Sequence, residues 1–442
     1  MPVLFKPRKS TPPKVSADVT ETFEKARKVL INNSTEHGIK AASTLYNQIW
    51  SRDSFITFIG SNMLGEERLL EAAKRTLTTL GRSKTSTGMI PVNFDLSRGK
   101  PRLFFAGATD ASAWYIIGLA NLYHTMQDRS LLGENLDHAI DAYIWLRYQD
   151  TTGAILIDSH PAADWMDNTV IRQGKTLYNN TLFLIATKCI NYLCEESGKA
   201  MDKRFSLDFE TLKQRFNMLF APDEEFMRSG HWPNIADSDK DYITNPPRGK
   251  MPFYPNFITF NHVDMHFDTL SNLLCIAAGI SDKDMASSIL SYIESNKVAS
   301  PYPIKVLHPN MREGDKFFDK AYTDAKPKHW RNDEYCYHNG GIWPFVGGLY
   351  VISLVGRDNG AAGYAEEVGE RVEMHVNMVK RYEVRVEWHL ASRLVGYVIL
   401  VAVCDVRPVA ASHEFLIWRE EHIETLLQGL KIKREPLINC LA

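Results

Sequence analysis

The sequence predicts an all-α protein whose helices lie in two concentric layers, and three observations lead there. Helical periodicity recurs along most of the 442 residues, strongly apolar helices are followed by more charged amphipathic ones, and alternating strand patterns are scarce. A helix that is apolar around most of its circumference must be covered on several sides, whereas an amphipathic helix buries one stripe. The pairing suits apolar helices inside and amphipathic helices covering them, with one end of the helical barrel as a candidate site.

Residues 1–15 read as a flexible N-terminal arm, because the opening MPVLFKPRKSTPPK is basic and proline-rich and has no apolar core of signal-peptide length. Residues 66–82 set Leu69, Leu70, Ala73, Leu77 and Leu80 at three- and four-residue intervals, with Gly81 as the stop. Residues 110–128 are apolar over most of the helix circumference. Residues 136–148, 175–193, 267–280, 281–295 and 341–355 continue the helical pattern. The loops ahead of the apolar helices collect Arg52 and Asp53, Asp110, the group from Asp164 to Asp167, His262 with His266, and the stretch from His338 to Gly341. No Ser/Gly/Pro-rich linker divides the chain, which favours one continuous domain.

Bulk properties exclude several function classes. A formal net charge of −2 argues against a surface that tracks nucleic-acid phosphates, and a small neutral ligand is the easier partner. The longest apolar run, residues 394–404, falls well short of the roughly 20 residues that span a bilayer. Six cysteines without CxxC spacing read as free thiols in a reduced, cytoplasmic protein.

Four constellations carry chemistry. In ADWMD, Asp167 beside Trp165 and Met166 has the apolar surroundings that raise a carboxyl pKa and make a proton donor at neutral pH. Asp164 or Asp167 could equally cap the following helix. Arg52 and Asp53, next to Trp50, offer fixed donors and acceptors for sugar hydroxyls, or form a buried ion pair. Tyr337, His338, Asn339, Gly340, Gly341 and Trp343 combine ring faces, hydrogen-bonding groups and glycines that permit close backbone approach, a mixture suited to carbohydrate. His262 and His266 stand four apart, as zinc ligands on a helix would, but without the glutamate of HExxH and without a third distant ligand; no metal and no cofactor is expected. No phosphate loop, nucleotide fingerprint or GxSxG elbow occurs.

Seven motifs in order, WSRDSF, GMIPVNF, TDASAWYI, ADWMD, LYNNTLF, FDTLSNLLCIAAGI and YHNGGIWP, resemble the six-hairpin glycosidases with an (α/α)6 toroid. The resemblance is to the amylo-α-1,6-glucosidase domain of glycogen debranching enzymes and to the alkaline/neutral invertases, and it covers roughly residues 20–390. It implies a catalytic domain over residues 16–390 that hydrolyses a non-reducing-end glucoside with inversion, on an oligosaccharide or disaccharide. Asp167 is then the acid. Arg52, Asp53, Asp110, Trp114, His338 and Trp343 match positions that line the sugar pocket. The base of the family falls on Glu387 in RVEWHLAS, with Glu334 the fallback. Beyond it, residues 391–442 depart from the family pattern as an atypical, strand-like tail, so the last hairpin is expected to be aberrant. Debranching-type activity is the first expectation and sucrose cleavage the second. A catalytically impaired saccharide-binding protein is the competing class.

Overall fold

The apolar helices of the inner layer follow one another in space as they do in the chain. The computed structural model describes residues 17–355 apart from 44–45, 104–107, 152, 167–169, 223–250, 260–261, 301–302 and 328–330. The N-terminal arm, the tail 391–442 and both expected catalytic carboxylates, Asp167 and Glu387, lie outside the described residues.

Helix α1 (Ala17–Asn33) leads into a hairpin of β1 (Ser34–Thr35) and β2 (Gly38–Ile39), then β3 (Ile49–Trp50), α2 (Ser51–Ser61) and α3 (Glu67–Arg82). After β4 (Asn93–Asp95) and β5 (Lys100–Arg102) come α4 (Thr109–Met126) and α5 (Arg129–Arg147), then β6 (Lys175–Thr176), α6 (Leu177–Ser197) and α7 (Phe209–Phe220). Next are β7 (Phe257–Thr259), β8 (His262–Asp264), β9 (Phe267–Asp268), α8 (Thr269–Ala277) and α9 (Lys283–Ser295). The last described elements are β10 (Leu307–His308), α10 (Lys320–Asp324) and α11 (Pro344–Val355).

Helices α2, α4, α6, α8 and α11 form an inner row in which each packs on the next. The more polar helices α3, α5 and α7 cover it, α3 against α2, α4 and α5, α5 against α4 and α6, and α7 against α6. The two layers therefore follow from the alternation of apolar and amphipathic helices. In α4 nearly every side chain from Thr109 to Ala120 is buried, as a helix covered on all sides requires, whereas α3 buries Leu69, Ala73, Leu77 and Leu80 along one stripe. Among the described residues no helix is long and apolar enough to cross a membrane.

Several helix ends differ from the sequence reading, and three of the differences have a clear local reason. Gly81 does not stop α3, which runs through it to Arg82; a Cβ there would strike the Tyr115 hydroxyl, so the glycine serves close packing. Asp128, read as the end of one helix, is the N-cap of the next, its carboxylate accepting from the Ser130 and Leu131 amides. Asp164 does not cap the helix after it: α6 starts only at Leu177, and Thr176 is its cap.

Among the described residues the strands are two or three residues long, and three of their pairings lie where inner helices begin. Strand β3 pairs with β4 just before α2, β6 with β7 just before α6, and β9 with β10 just before α8. These pairings fix the directions in which the inner helices start.

Gly118 of α4 faces Phe55 of α2, whose ring is held edge-on between Phe58 and Tyr115 at 5.4 and 5.6 Å. A methyl at position 118 has no room unless that ring moves. Gly118→Ala, which in an open helix would stabilise, is expected to lower unfolding free energy by about 1–3 kcal/mol through overpacking. Urea unfolding of the two proteins checks this, and a more stable variant would contradict it.

Candidate active site

Among the described residues Arg172 is the largest fully buried side chain, 1% exposed, in the loop between α5 and α6. Its guanidinium forks onto Asp164, with Nε donating to Oδ2 at 2.8 Å and Nη2 to Oδ1 at 3.0 Å. Nη1 donates to Asp268 Oδ2 at 2.6 Å and, more weakly, to Asn256 Oδ1 at 3.4 Å. The carbon of the guanidinium lies 5.2 Å from the Tyr178 ring centre. Burial opposes the charge, but Asp164 and Asp268 outweigh burial and push the guanidinium pKa up. Each carboxylate also orders backbone: Asp268 caps α8 through the Ser271 amide, and Asp164 accepts from the Met166 amide at 2.9 Å. One side chain thus joins the 164–166 turn, the start of α6 and the start of α8.

A second ion pair closes the neighbouring part of the row. Arg52, in the first turn of α2, donates to Asp110 in the first turn of α4 at 2.9 Å, while Asp53 stands 3.9 Å from its Nε. Burial pushes the Asp110 carboxyl up to about 6, against the pull of Arg52. Burial also raises Asp53, with Arg52 again opposing. One turn further along α4, Trp114 Nε1 donates to the Tyr178 hydroxyl at 2.9 Å, and the Thr109 amide donates to the Ala163 carbonyl. These bonds bring the starts of α2, α4 and α6 to the Asp164 turn.

Aromatic rings complete the cluster. Trp165, 3% exposed, meets His338 and Trp343 edge-on at 5.0 and 5.7 Å, and His338 stacks on Trp343 at 5.4 Å. Tyr337 lies 4.1 Å from the His338 ring, and its carbonyl accepts from Trp343 Nε1. Burial, then Arg52 and Arg172, hold His338 well below the usual histidine range, so the imidazole is neutral. Among the described residues, Trp165 Nε1 and His338 Nδ1 are buried without a hydrogen-bond partner. Such groups are costly in an apolar interior and useful where a polar ligand meets them.

The expected site residues divide accordingly. Arg52, Asp53, Asp110, Trp114, Trp165, Tyr337, His338 and Trp343 gather at this end of the inner row. Trp50 sits beside it on β3, its Nε1 donating to Gln48. Asn339 is committed elsewhere: its amide bridges the Met311 backbone and the Asn332 carbonyl, fixing the loop rather than facing a ligand. Glu334 is exposed, 3.9 Å from Arg312. His262 and His266 are not one helical turn apart, since β8 and the turn after it carry them; both approach Asp264, His266 at 2.8 Å. Among the described residues no three His, Cys, Asp or Glu side chains gather as metal ligands. Sequence reasoning missed Arg172, Asn256, Asp268 and Tyr178; Tyr178 lay in the quoted LYNNTLF and Asp268 in FDTLSNLLCIAAGI, but neither was singled out, and Arg172 and Asn256 lay in none of the seven motifs.

Buried ion pairs and a ring cluster gather at the starts of paired helices, and comparison with known proteins places the chain among glycoside hydrolases. The chain belongs to the amylo-alpha-1,6-glucosidase family, whose model matches residues 22–389. It is 20% identical over 361 residues to cytosolic invertase 1 of Oryza sativa subsp. japonica, covering 70% of this chain and 61% of that one. It is 25% identical over 161 residues to the probable alkaline/neutral invertase D of Arabidopsis thaliana, covering 35% of this chain and 28% of that one. Both matches thus span less than two thirds of the relative's length. In fold, it is similar to the GH63 mannosylglycerate hydrolase of Thermus thermophilus, with a TM-score of 0.56 at 15% identity, over 85% of this chain and 99% of that one. A rhamnosidase from Klebsiella oxytoca gives a TM-score of 0.53 at 10% identity, over 88% and 64%.

Arg172→Leu leaves two buried carboxylates uncompensated and is expected to cost about 3–5 kcal/mol in urea unfolding, with Arg172→Lys recovering only part because one ammonium cannot fork. An unchanged midpoint would contradict the network. For Asp110, carboxyl 13C NMR is expected to show a midpoint of about 6 in place of the ordinary 3.8. The folded state then holds this proton more tightly than the unfolded state does, so Asp110 costs stability increasingly as pH rises from 3.8 to about 6 and by a constant amount above. A midpoint near 4 would mean that Arg52 outweighs burial.

Proposed function

We propose that this chain hydrolyses a non-reducing-end glucoside with inversion of the anomeric centre, on an (α/α)6 scaffold and with debranching-type α-1,6 specificity. The observation that carries the reading is the convergence of the Arg52–Asp110 pair with the Trp165–His338–Trp343 rings at the starts of inner helices. A glucose ring presents apolar faces and an equatorial belt of hydroxyls. Indole and imidazole faces accept the former, while Asp110, Arg52 and the unpartnered Trp165 Nε1 bond the latter. Neutral His338 can donate or accept without repelling Arg52.

In this reading Asp167 donates a proton to the glycosidic oxygen, and Glu387 activates water on the opposite ring face, the two standing about 6.5–9.5 Å apart. Asp167 directly follows Trp165 and Met166, both buried, and an apolar neighbourhood is what keeps an acid protonated at neutral pH. Asn339 acts through the loop it braces, and the substrate is short, a disaccharide or oligosaccharide. Sucrose cleavage is the second reading, favoured by the similarity to plant invertases. Residence in the cytoplasm accords with the cytosolic rice relative.

Glucose release from isomaltose, a branched maltodextrin and sucrose, with the product anomer followed by NMR, tests the proposal. Wild type is expected to release β-glucose from isomaltose, and Asp167→Asn and Glu387→Gln to lose about 10²–10⁴-fold. Preference for sucrose would transfer the assignment to the invertase reading. A wild type that binds saccharide but cleaves none would overturn hydrolysis altogether.

A further inference from the structure

Residues flanking Asp167 in sequence have two separate supports, and one side chain touches both. On one side, the Asp164 turn is held by Arg172, whose Nη1 reaches Asn256 Oδ1. Asn256 Nδ2 donates to Asp264 Oδ2 at 2.8 Å, and Asp264 Oδ1 pairs with His266 Nδ1 at 2.8 Å. On the other side, Val170 and Ile171 run along the 317–318 segment: Val170 bridges Phe318, and the Ile171 amide donates to the Phe317 carbonyl at 3.3 Å. That segment starts at Asp315, whose carboxylate lies 3.8 Å from His266 Nε2 and also accepts from the Arg312 amide.

We propose that His266 is a positioning residue that clamps both flanks of the acid segment, inward through Asp264, Asn256 and Arg172 and outward through Asp315, and that the clamp is tightest when its imidazole is protonated. Its weight in catalysis rests on the hydrolase reading above, whereas the clamp itself is a property of the fold. A neutral imidazole donates from one nitrogen only, so it keeps one carboxylate and loses its attraction for the other.

The groups facing His266 favour the charged form. Asp264 comes from β8 and Asp315 from the 312–318 turn, His308 on β10 faces it as a second imidazole, and His262 shares Asp264 from 3.9 Å. Burial opposes protonation, but Asp264 and then Asp315 outweigh it and hold His266 above its ordinary 6.5, while His308 is pushed below. The clamp is therefore complete below pH 6.5 and is released as pH rises through the elevated value.

Hydrogen–deuterium exchange of the Met166 and Ile171 amides in the full chain, corrected for intrinsic pH dependence, tests this. In wild type both amides are expected to lose protection severalfold between pH 6 and pH 9. His266→Gln keeps a donor for Asp264 without the charge, so it should show the lower protection at both pH values. Asp315→Asn removes the outer contact at a side chain 40% exposed, and should abolish the step at Ile171 even if His266→Gln fails to fold. A step at either amide that survives in folded His266→Gln, a step at Ile171 that survives in folded Asp315→Asn, or no step in wild type, overturns the proposal. On a cleaved glucoside, His266→Gln should lower kcat by about 10–100-fold with little change in KM, as a displaced catalytic group does. If wild type cleaves no glucoside, the hydrolase reading falls, and exchange alone still decides the clamp.

Discussion

A single buried guanidinium sets the terms for the rest of this site. Arg172 is held away from water between Asp164 and Asp268, one positive charge against two negative, with no compensation from solvent. Removing such ions from water costs several kcal/mol each, and only close geometry with further hydrogen bonds offsets it. The structure supplies both. Asp268 lies at the start of α8, where backbone amides and the helix dipole favour negative charge, and Asp164 takes a backbone amide in addition to the fork. A network that must be complete to be tolerated also fixes what it touches, and it touches the starts of α6 and α8 and the turn that carries Trp165.

From that fixed frame the properties of the polar residues follow. Burial, then Arg52 and Arg172, disfavour charge on His338, which leaves a neutral imidazole stacked on an indole. Arg52 cannot fully offset the burial of Asp110, so that carboxyl is raised even though it is ion-paired. Both effects need low dielectric, and the inner helices provide it: Tyr115 of α4 and Tyr178 and Phe183 of α6 are fully buried. The same apolar helices that make the core therefore tune the groups at its end.

The fold was largely legible because its signal is periodic. Alternation of all-round apolar helices with striped ones identified the inner and outer layers; Trp165 and His338 do lie in loops, whereas Arg52 and Asp110, expected in loops ahead of apolar helices, sit in the first turns of α2 and α4. What sequence missed has no period. Arg172 occurs in the nondescript run NTVIRQGK, and its partners Asn256 and Asp268 are 84 and 96 residues away. Paired strands of two residues are too short for alternation to register. Gly81 looked like a helix stop because local preference says nothing of a tyrosine arriving from another helix. Asn339, grouped with its aromatic neighbours, faces the Met311 loop because its amide satisfies that backbone on two sides. The proposed catalytic pair, Asp167 and Glu387, rests on the family resemblance and lies outside the described residues.

The most direct test of the account is a crystal structure of Asp167→Asn with isomaltose bound. The account predicts the non-reducing glucose against the Trp165–His338–Trp343 rings, with its hydroxyls bonded to Asp110 and Arg52 and its glycosidic oxygen next to residue 167. A sugar bound elsewhere, or one in this place that leaves Asp110 and Arg52 untouched, would contradict it.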